Sequence, residues 1–262
     1  MRGDHGKAAE YFQRVYDAEA AVFGVDDVRI AMSTNNVGTA LSRLRRDEDA
    51  EAFCRRAIAA YESGEYLDID LARPVGNLAV SLMRRKSFDE AEVQLIRAIE
   101  LIEAEGGPLH GDLSGQWFNL GSVYLDTDRP EKALEAMERS LAVDRHVLGD
   151  DHAYVAQTIG LMAKVHARQG RSDRARAMLE EAIAMYRRVE GDPMLVAASE
   201  LDLAELLWDA GERDAADASC RTPRLHSKPP AQTVDRASSS CTPGNAPAEA
   251  AAMHKRPQLL DG

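Results

Sequence analysis

Cysteine and aromatic residues are both scarce in this sequence. The three cysteines, Cys54, Cys220 and Cys241, are an odd number without metal-ligand spacing, so neither a disulfide framework nor a zinc site is expected. This usage is typical of a reducing cytosol, and a cytoplasmic protein is predicted. Aromatic residues make up only 5% of the chain, while alanine, leucine, glutamate, arginine and aspartate dominate. That mixture favours helices, because these side chains lose little rotamer freedom in a helix.

Long apolar runs and an excess of positive charge are also absent. No stretch approaches the roughly 18 uninterrupted apolar residues of a membrane span, and the charged N-terminus lacks the apolar segment of a signal peptide. The formal net charge of the 262 residues is -12, which would repel nucleic acid phosphates and anionic lipid. We therefore expect a protein partner, and neither nucleic acid nor a membrane.

Motifs that carry chemistry are missing as well. The sequence has no glycine-rich phosphate loop, no nucleophile elbow and no His-Glu-x-x-His zinc motif. His146, Asp150, Asp151 and His152 crowd one loop, but a turn explains them better than a metal does. His166 stands where other repeats have leucine, which favours a packed histidine over a catalytic one. We predict a protein that is not an enzyme and has no cofactor or metal.

What the sequence does contain is an internal repeat with three sets of small residues. The first set is Ala8, Ala50, Ala91, Ala133, Ala175 and Ala216, at intervals of 42, 41, 42, 42 and 41 residues. Twelve residues before the last five stand Gly38, Ala79, Gly121, Ala163 and Ala204. Seven residues after the middle four stand Ala57, Ala98, Ser140 and Ala182. Small side chains in register indicate helices that pack closely.

Each repeat is predicted to be a pair of helices, because apolar residues recur at intervals of three and four. Glycine, proline, aspartate and serine fall between the helical stretches, where they end one helix and begin the next. The predicted helices span about 4–22, 29–45, 48–63, 70–86, 88–105, 112–127, 130–148, 152–169, 172–190, 193–210 and 212–221. Residues 1–220 thus form an all-α solenoid with half a unit, four full units and a truncated fifth unit.

The composition changes abruptly after Cys220. Proline, serine and threonine become frequent and apolar periodicity disappears, so residues 221–262 are predicted to be a disordered tail. A truncated fifth unit without a polar cap would leave apolar surface exposed, which predicts fraying or self-association at that end. Trp208 fits either this end face or a binding groove.

The small positions and the period resemble the tetratricopeptide repeat, and more specifically its kinesin light chain type. The likeness covers about residues 1–220 and includes Asn36-Val-Gly38, Asn77-Leu-Ala79, Asn119-Leu-Gly121 and the linker Leu148-Gly-Asp-Asp-His152. It implies a right-handed superhelix of antiparallel helix pairs, in which the first helix of each pair lines a concave groove for a peptide.

The resemblance also implies which residues would face that groove: Asn36, Arg43, Arg73, Asn77, Arg84 and Asn119. An asparagine amide both donates to and accepts from a peptide backbone, and an arginine holds a carboxylate with two hydrogen bonds. The asparagines could instead bond to a neighbouring helix, since recurrence on one face suits both roles.

Later units depart from this pattern. Leu161 and Asp202 replace the asparagine, and Asp126 and Asp209 replace the arginine. The N-terminal half of the groove should therefore be more basic and suit a ligand with an acidic end.

Two hypotheses for function follow. The leading one is a scaffold or adaptor that binds a protein or peptide in the groove. The alternative is the sensor or regulatory portion of a larger bacterial signalling or transcription protein, since such arrays serve many unrelated roles.

Overall fold

The computed structural model describes residues 5–64, 69–189 and 193–220, without the side chains of residues 217–220. All of these residues lie in one compact unit. The helices are α1 His5–Phe23, α2 Ala31–Arg43, α3 Asp47–Ser63, α4 Ile69–Arg84, α5 Phe88–Gly106, α6 Leu113–Asp126, α7 Pro130–Leu148, α8 Ala153–Arg168, α9 Ser172–Arg188, α10 Pro193–Asp209 and α11 Arg213–Cys220. A 3-10 turn, Val28–Ile30, precedes α2, and the described residues contain no strand.

The predicted all-α architecture and its eleven helices are confirmed. Helix α2, which was predicted to run over 29–45, differs by two residues at both ends. Its start is a 3-10 turn because the Asp27 carboxylate accepts the backbone N–H of Arg29. The predicted tail, residues 221–262, lies outside the described residues.

The turn inside each helix pair has the same geometry in all five units. The second residue after the first helix adopts a positive φ at equivalent positions: Arg45, Lys86, Asp128, Gly170 and Gly211. In every case the next N–H bonds back to a carbonyl five residues earlier, as from Arg46 to Leu41 at 3.0 Å. This is the Schellman ending, which satisfies carbonyls left open by the last helical turn. It explains why α2 ends at Arg43.

The three sets of small residues lie where paired helices approach most closely. A side chain on Gly121 would place its Cβ 2.8 Å from Met137 Cγ, and one on Gly38 would reach Cys54 Sγ at 3.0 Å. The alanines Ala50, Ala91, Ala133 and Ala175 are completely buried. The repeat register predicted from the sequence is therefore confirmed.

The two helices of each pair have different neighbours. The inner helices, α2, α4, α6, α8 and α10, each contact the next inner helix. The outer helices, α3, α5, α7, α9 and α11, make no such contact with one another along the described chain. Closer spacing on one side makes the array curve, so the inner helices line its concave face.

None of the described helices combines the length and the apolar character needed to cross a membrane.

Ala91→Leu tests the register of the small positions. Ala91 is fully buried in α5, so the larger side chain should overpack the contact and lower the free energy of unfolding by about 1 to 3 kcal/mol. Ala104→Leu, at an exposed position of the same helix, should change it by less than about 0.5 kcal/mol. Urea unfolding measures both, and an unchanged stability of Ala91→Leu would contradict the register.

Candidate peptide-binding groove

One face of each inner helix points into the concave side. It consists of residues spaced by four, three and four positions, which share a helical face. We call this set the inner stripe: Met32, Asn36, Thr39 and Arg43; Arg73, Asn77, Val80 and Arg84; Gly115, Asn119, Ser122 and Asp126; Gln157, Leu161, Lys164 and Arg168; Ala198, Asp202, Glu205 and Asp209. All of them are exposed or half-buried. The stripe contains all six residues proposed from the sequence.

Asn77 links two units. Its Nδ2 donates to Asn35 Oδ1 at 2.9 Å and to Thr39 Oγ1 at 3.0 Å, both in the preceding inner helix. Asn35 is buried, so this bond satisfies a polar group that water does not reach. The amide nitrogen of Asn77 thus has the neighbouring-helix role that the sequence left open. The side chains of Asn36 and Asn119 make no hydrogen bond to another described residue.

Arg84 also serves a joint between units. Its Nη1 donates to the backbone oxygen of Ser42 at 2.7 Å and to Ser42 Oγ at 2.6 Å, and it lies 3.1 Å from Asp47 Oδ1. Carbonyls in the last turn of a helix have no intrahelical partner and attract positive charge. Arg84 therefore ties α4 to the end of α2.

Arg168 repeats this arrangement two units later. Its Nη1 donates to the backbone oxygen of Leu125, at the end of α6, over 2.7 Å. The sequence analysis missed Arg168, although it lies 42 residues after Asp126. In units 2 and 4, the residue at the arginine position thus forms a hydrogen bond to the end of the preceding inner helix.

Arg43 and Arg73 remain available on the surface. Both are exposed, and neither side chain makes a hydrogen bond or ion pair with another described residue. Arg43 lines a cavity of about 210 Å³ together with Asn36, and Arg73 lines one of about 230 Å³ together with Asn77. Asn119 lines a larger cavity of about 460 Å³ between α6, α7 and α8.

Charge varies along the inner stripe. In α2 and α4 its only charged residues are arginines. In α10 it carries three acidic residues, of which Asp202 pairs with Lys164 at 2.9 Å. The positive end of the stripe is therefore the N-terminal one.

The histidines and acids considered as a metal site have separate structural roles. His152 Nδ1 accepts the backbone N–H of Tyr154 at the start of α8, and Asp151 pairs with Arg188 at 2.6 Å. His166 is buried in α8, and burial is the main reason that its pKa is lowered. Within the described ranges, no three histidine, cysteine, aspartate or glutamate residues could jointly hold a metal ion.

Cys54 and the aromatic residues belong to packing or to the end of the array. Cys54 is buried, and burial raises the pKa of its thiol to about 12. Tyr124 is buried in the core, with its ring against Arg129. Trp208 lies outside the inner stripe on the outward face of α10, and its ring packs against Arg213. Of the two places considered for Trp208, the structure favours the end face.

Comparison with known proteins gives consistent matches. A family model described as tetratricopeptide repeat matches residues 1–63 and 113–188, and two more with that description match residues 76–108 and 197–222. Protein KINESIN LIGHT CHAIN-RELATED 3 of Arabidopsis thaliana is 22% identical over 198 residues, which are 74% of this chain and 30% of that protein. Regulatory protein RapK of Bacillus subtilis is 23% identical over 142 residues, which are 50% of this chain and 38% of RapK.

The chain spans about a third of the length of these curated relatives. Among solved structures, the crystal structure of BtubC (BKLC) from P. vanneervenii has a TM-score of 0.67 at 17% identity, covering 92% of this chain and 96% of BtubC. At that identity the likeness shows a shared solenoid fold.

Arg84→Ala and Arg43→Ala form a matched pair that tests the structural tie. Both remove an arginine from the same register position, but only Arg84 bonds to a neighbouring unit. We expect Arg84→Ala to lower the free energy of unfolding by about 1 to 3 kcal/mol, because it leaves a helix-end carbonyl without its charged donor. Arg43→Ala should change it by less than about 0.5 kcal/mol. Equal losses in urea unfolding would contradict the assignment.

Proposed function

Because the chain belongs to the tetratricopeptide repeat family, we propose that it is a protein- or peptide-interaction module that binds an extended or helical partner segment along the inner stripe. The observation that carries this proposal is the set of polar stripe residues without structural bonds: Asn36, Arg43, Arg73 and Asn119. These side chains lie on one concave face, and their amide and guanidinium groups are available to bond to a ligand.

The chemistry of these residues indicates what they bind. An asparagine amide can donate to one peptide group and accept from another, which suits backbone recognition without regard to side chains. Arg43 and Arg73 can each hold a carboxylate with two parallel bonds. We therefore propose that the partner segment has an acidic end, which lies against α2 and α4.

The proposed role is binding without catalysis, cofactor or membrane, and its proposed place is the cytosol. Support comes from Cys54, a buried and unpaired thiol of the kind found in reducing compartments.

A pull-down from the source cells with the full chain tests the groove. Arg43→Ala with Arg73→Ala removes the two free arginines of the stripe, and we expect it to lose most of the captured partner. The control is Arg14→Ala with Arg174→Ala, which removes the same charge from exposed sites on outer helices α1 and α9. A partner retained by both variants would place binding on the convex face, and capture of no partner would count against the proposal.

A second candidate function is the sensor portion of a larger regulatory protein. It is favoured by the match to Regulatory protein RapK, which covers half of this chain. Sequencing the full transcript from the source separates the two candidates. A coding sequence continuous with an effector domain would favour the sensor, and an array on its own would favour the adaptor.

We further propose that the array associates with a second copy through α10. Leu201 and Trp208 lie seven residues apart on one face of this helix and are 53% and 54% exposed. Their equivalents in unit 3 are Phe118, which is half-buried, and Leu125, which is buried. The exposed face of α10 is thus the surface on which a further helix would pack.

Leu201→Glu tests this association. It places a charge on the exposed face of α10, and we expect it to abolish any dimer that sedimentation velocity detects at high protein concentration. Val93→Glu is the control, because Val93 is equally exposed on the outer helix α5. A wild-type chain that stays monomeric, or a dimer that survives in Leu201→Glu, would refute the proposed contact.

A further inference from the structure

A cavity of about 460 Å³ on the concave side lies between α6, α7 and α8. Most of its wall is apolar and comes from Phe118, Val143, Val147, Leu148 and Tyr154. Asn119 and Gln157 of the inner stripe stand at its rim, so it is continuous with the proposed groove.

A buried carboxylate lines this apolar cavity. Asp144 is 2% exposed, and its Oδ1 accepts a hydrogen bond from Ser114 Oγ at 2.5 Å. Its Oδ2 is buried and has no hydrogen-bond partner among the described residues. A buried carboxylate oxygen without a partner costs free energy, because the interior does not replace the water it loses.

The repeat shows that the fold does not require an acid here. Equivalent positions in the other units hold Tyr61, Ile102 and Tyr186, which fill the space between helices. The short side chain of Asp144 therefore leaves room where its equivalents supply bulk, and adds a charge where they are apolar or aromatic.

Two neighbouring positions in unit 3 also differ from the other units. Ser114, which bonds to Asp144, stands where the other units have alanine: Ala31, Ala72, Ala156 and Ala197. Gly115 stands where they have Met32, Arg73, Gln157 and Ala198, and a Cβ at Gly115 would meet no atom within 4 Å. Ser140 Oγ donates a hydrogen bond to the backbone oxygen of Ser114 at 3.0 Å. Together these changes open a cavity and hold a carboxylate beside it.

We propose that this cavity is a subsite for a lysine or arginine side chain of the partner, with Asp144 as its counter-ion. This assignment rests on the proposed function, since it specifies one contact within the same groove. The aliphatic stem would pack against Phe118, Val143 and Val147, and the cationic end would pair with the carboxylate. A neutral side chain of the same length would fill the cavity but leave Asp144 unpaired.

Two features of Asp144 favour a full positive charge over a neutral donor. Oδ2 is closed off from solvent and has no hydrogen-bond partner among the described residues, so the carboxylate must turn toward the cavity to meet a ligand. A full opposite charge attracts a carboxylate more strongly than a neutral donor does. Burial also raises the pKa of Asp144, against the opposing effects of the Ser114 hydrogen bond and of the nearby His152. A cation beside the carboxylate stabilises the ionised form.

NMR titration of the full chain with capped amino acids tests this subsite. The probes are N-acetyl-lysine amide and N-acetyl-arginine amide, and the control ligand is N-acetyl-norleucine amide, which has the lysine stem without the charge. We expect saturable shifts of the Val143 and Val147 methyl signals, with at least about tenfold tighter binding of a cationic probe than of norleucine.

Variants of Asp144 distinguish the contribution of its charge from that of the cavity volume. Asp144→Asn keeps the cavity and should remove the preference for the cation. Asp144→Ile copies Ile102 of unit 2, so it should fill the cavity, abolish binding and raise the melting temperature. Glu138→Gln removes an exposed carboxylate elsewhere on α7 and should leave binding unchanged.

Equal binding of lysine and norleucine probes, an unchanged preference in Asp144→Asn, or the absence of saturable shifts would each overturn the assignment. Because these probes require no partner protein, the result is independent of the pull-down. A partner that depends on Arg43 and Arg73 would keep the groove proposal even if the subsite failed.

Discussion

Close approach of paired helices at the small positions is the constraint on which the rest of this structure depends. Gly121 faces Met137 too closely for a β-carbon to fit without a shift, and Gly38 faces Cys54 at a distance that leaves little room for one. Alanine fills the corresponding place in the other pairs. This contact sets the distance between the two helices of every unit, so a recurrent pattern of glycine and alanine determines the geometry of the whole array.

The concave face follows from how these pairs stack. Inner helices contact one another and outer helices do not, so the polar stripe of each inner helix lies beside the next. Where the stripe crosses a joint, some side chains bond to the preceding unit, as Asn77, Arg84 and Arg168 do. The stripe residues left over are the ones available to a ligand. Structural roles and the proposed binding role are thus divided within one set of equivalent positions.

Most of the fold was predictable from the sequence because it depends on local signals. Period, small positions and turn residues are all local, and helix boundaries agreed to within a few residues. The roles of Asn77 and Arg84 were not predictable, because a sequence pattern does not say whether an exposed amide or guanidinium reaches the unit before it. The position of Arg168 could have been predicted from the repeat period alone. The cavity beside Asp144 needed the structure, since its significance depends on which helices surround position 144.

The isolation of each unit has a consequence for how such a chain can change over evolutionary time. A unit contacts only its immediate neighbours, so an unfavourable residue in one core, such as Asp144, leaves distant units undisturbed. The loss of stability that a new recognition feature causes is therefore confined to its own unit and the neighbours of that unit. The stability of the remaining units keeps the array folded. A similar exchange at Ile102 would begin a second cavity one unit earlier. Specificity can thus be rewritten one repeat at a time while the scaffold persists.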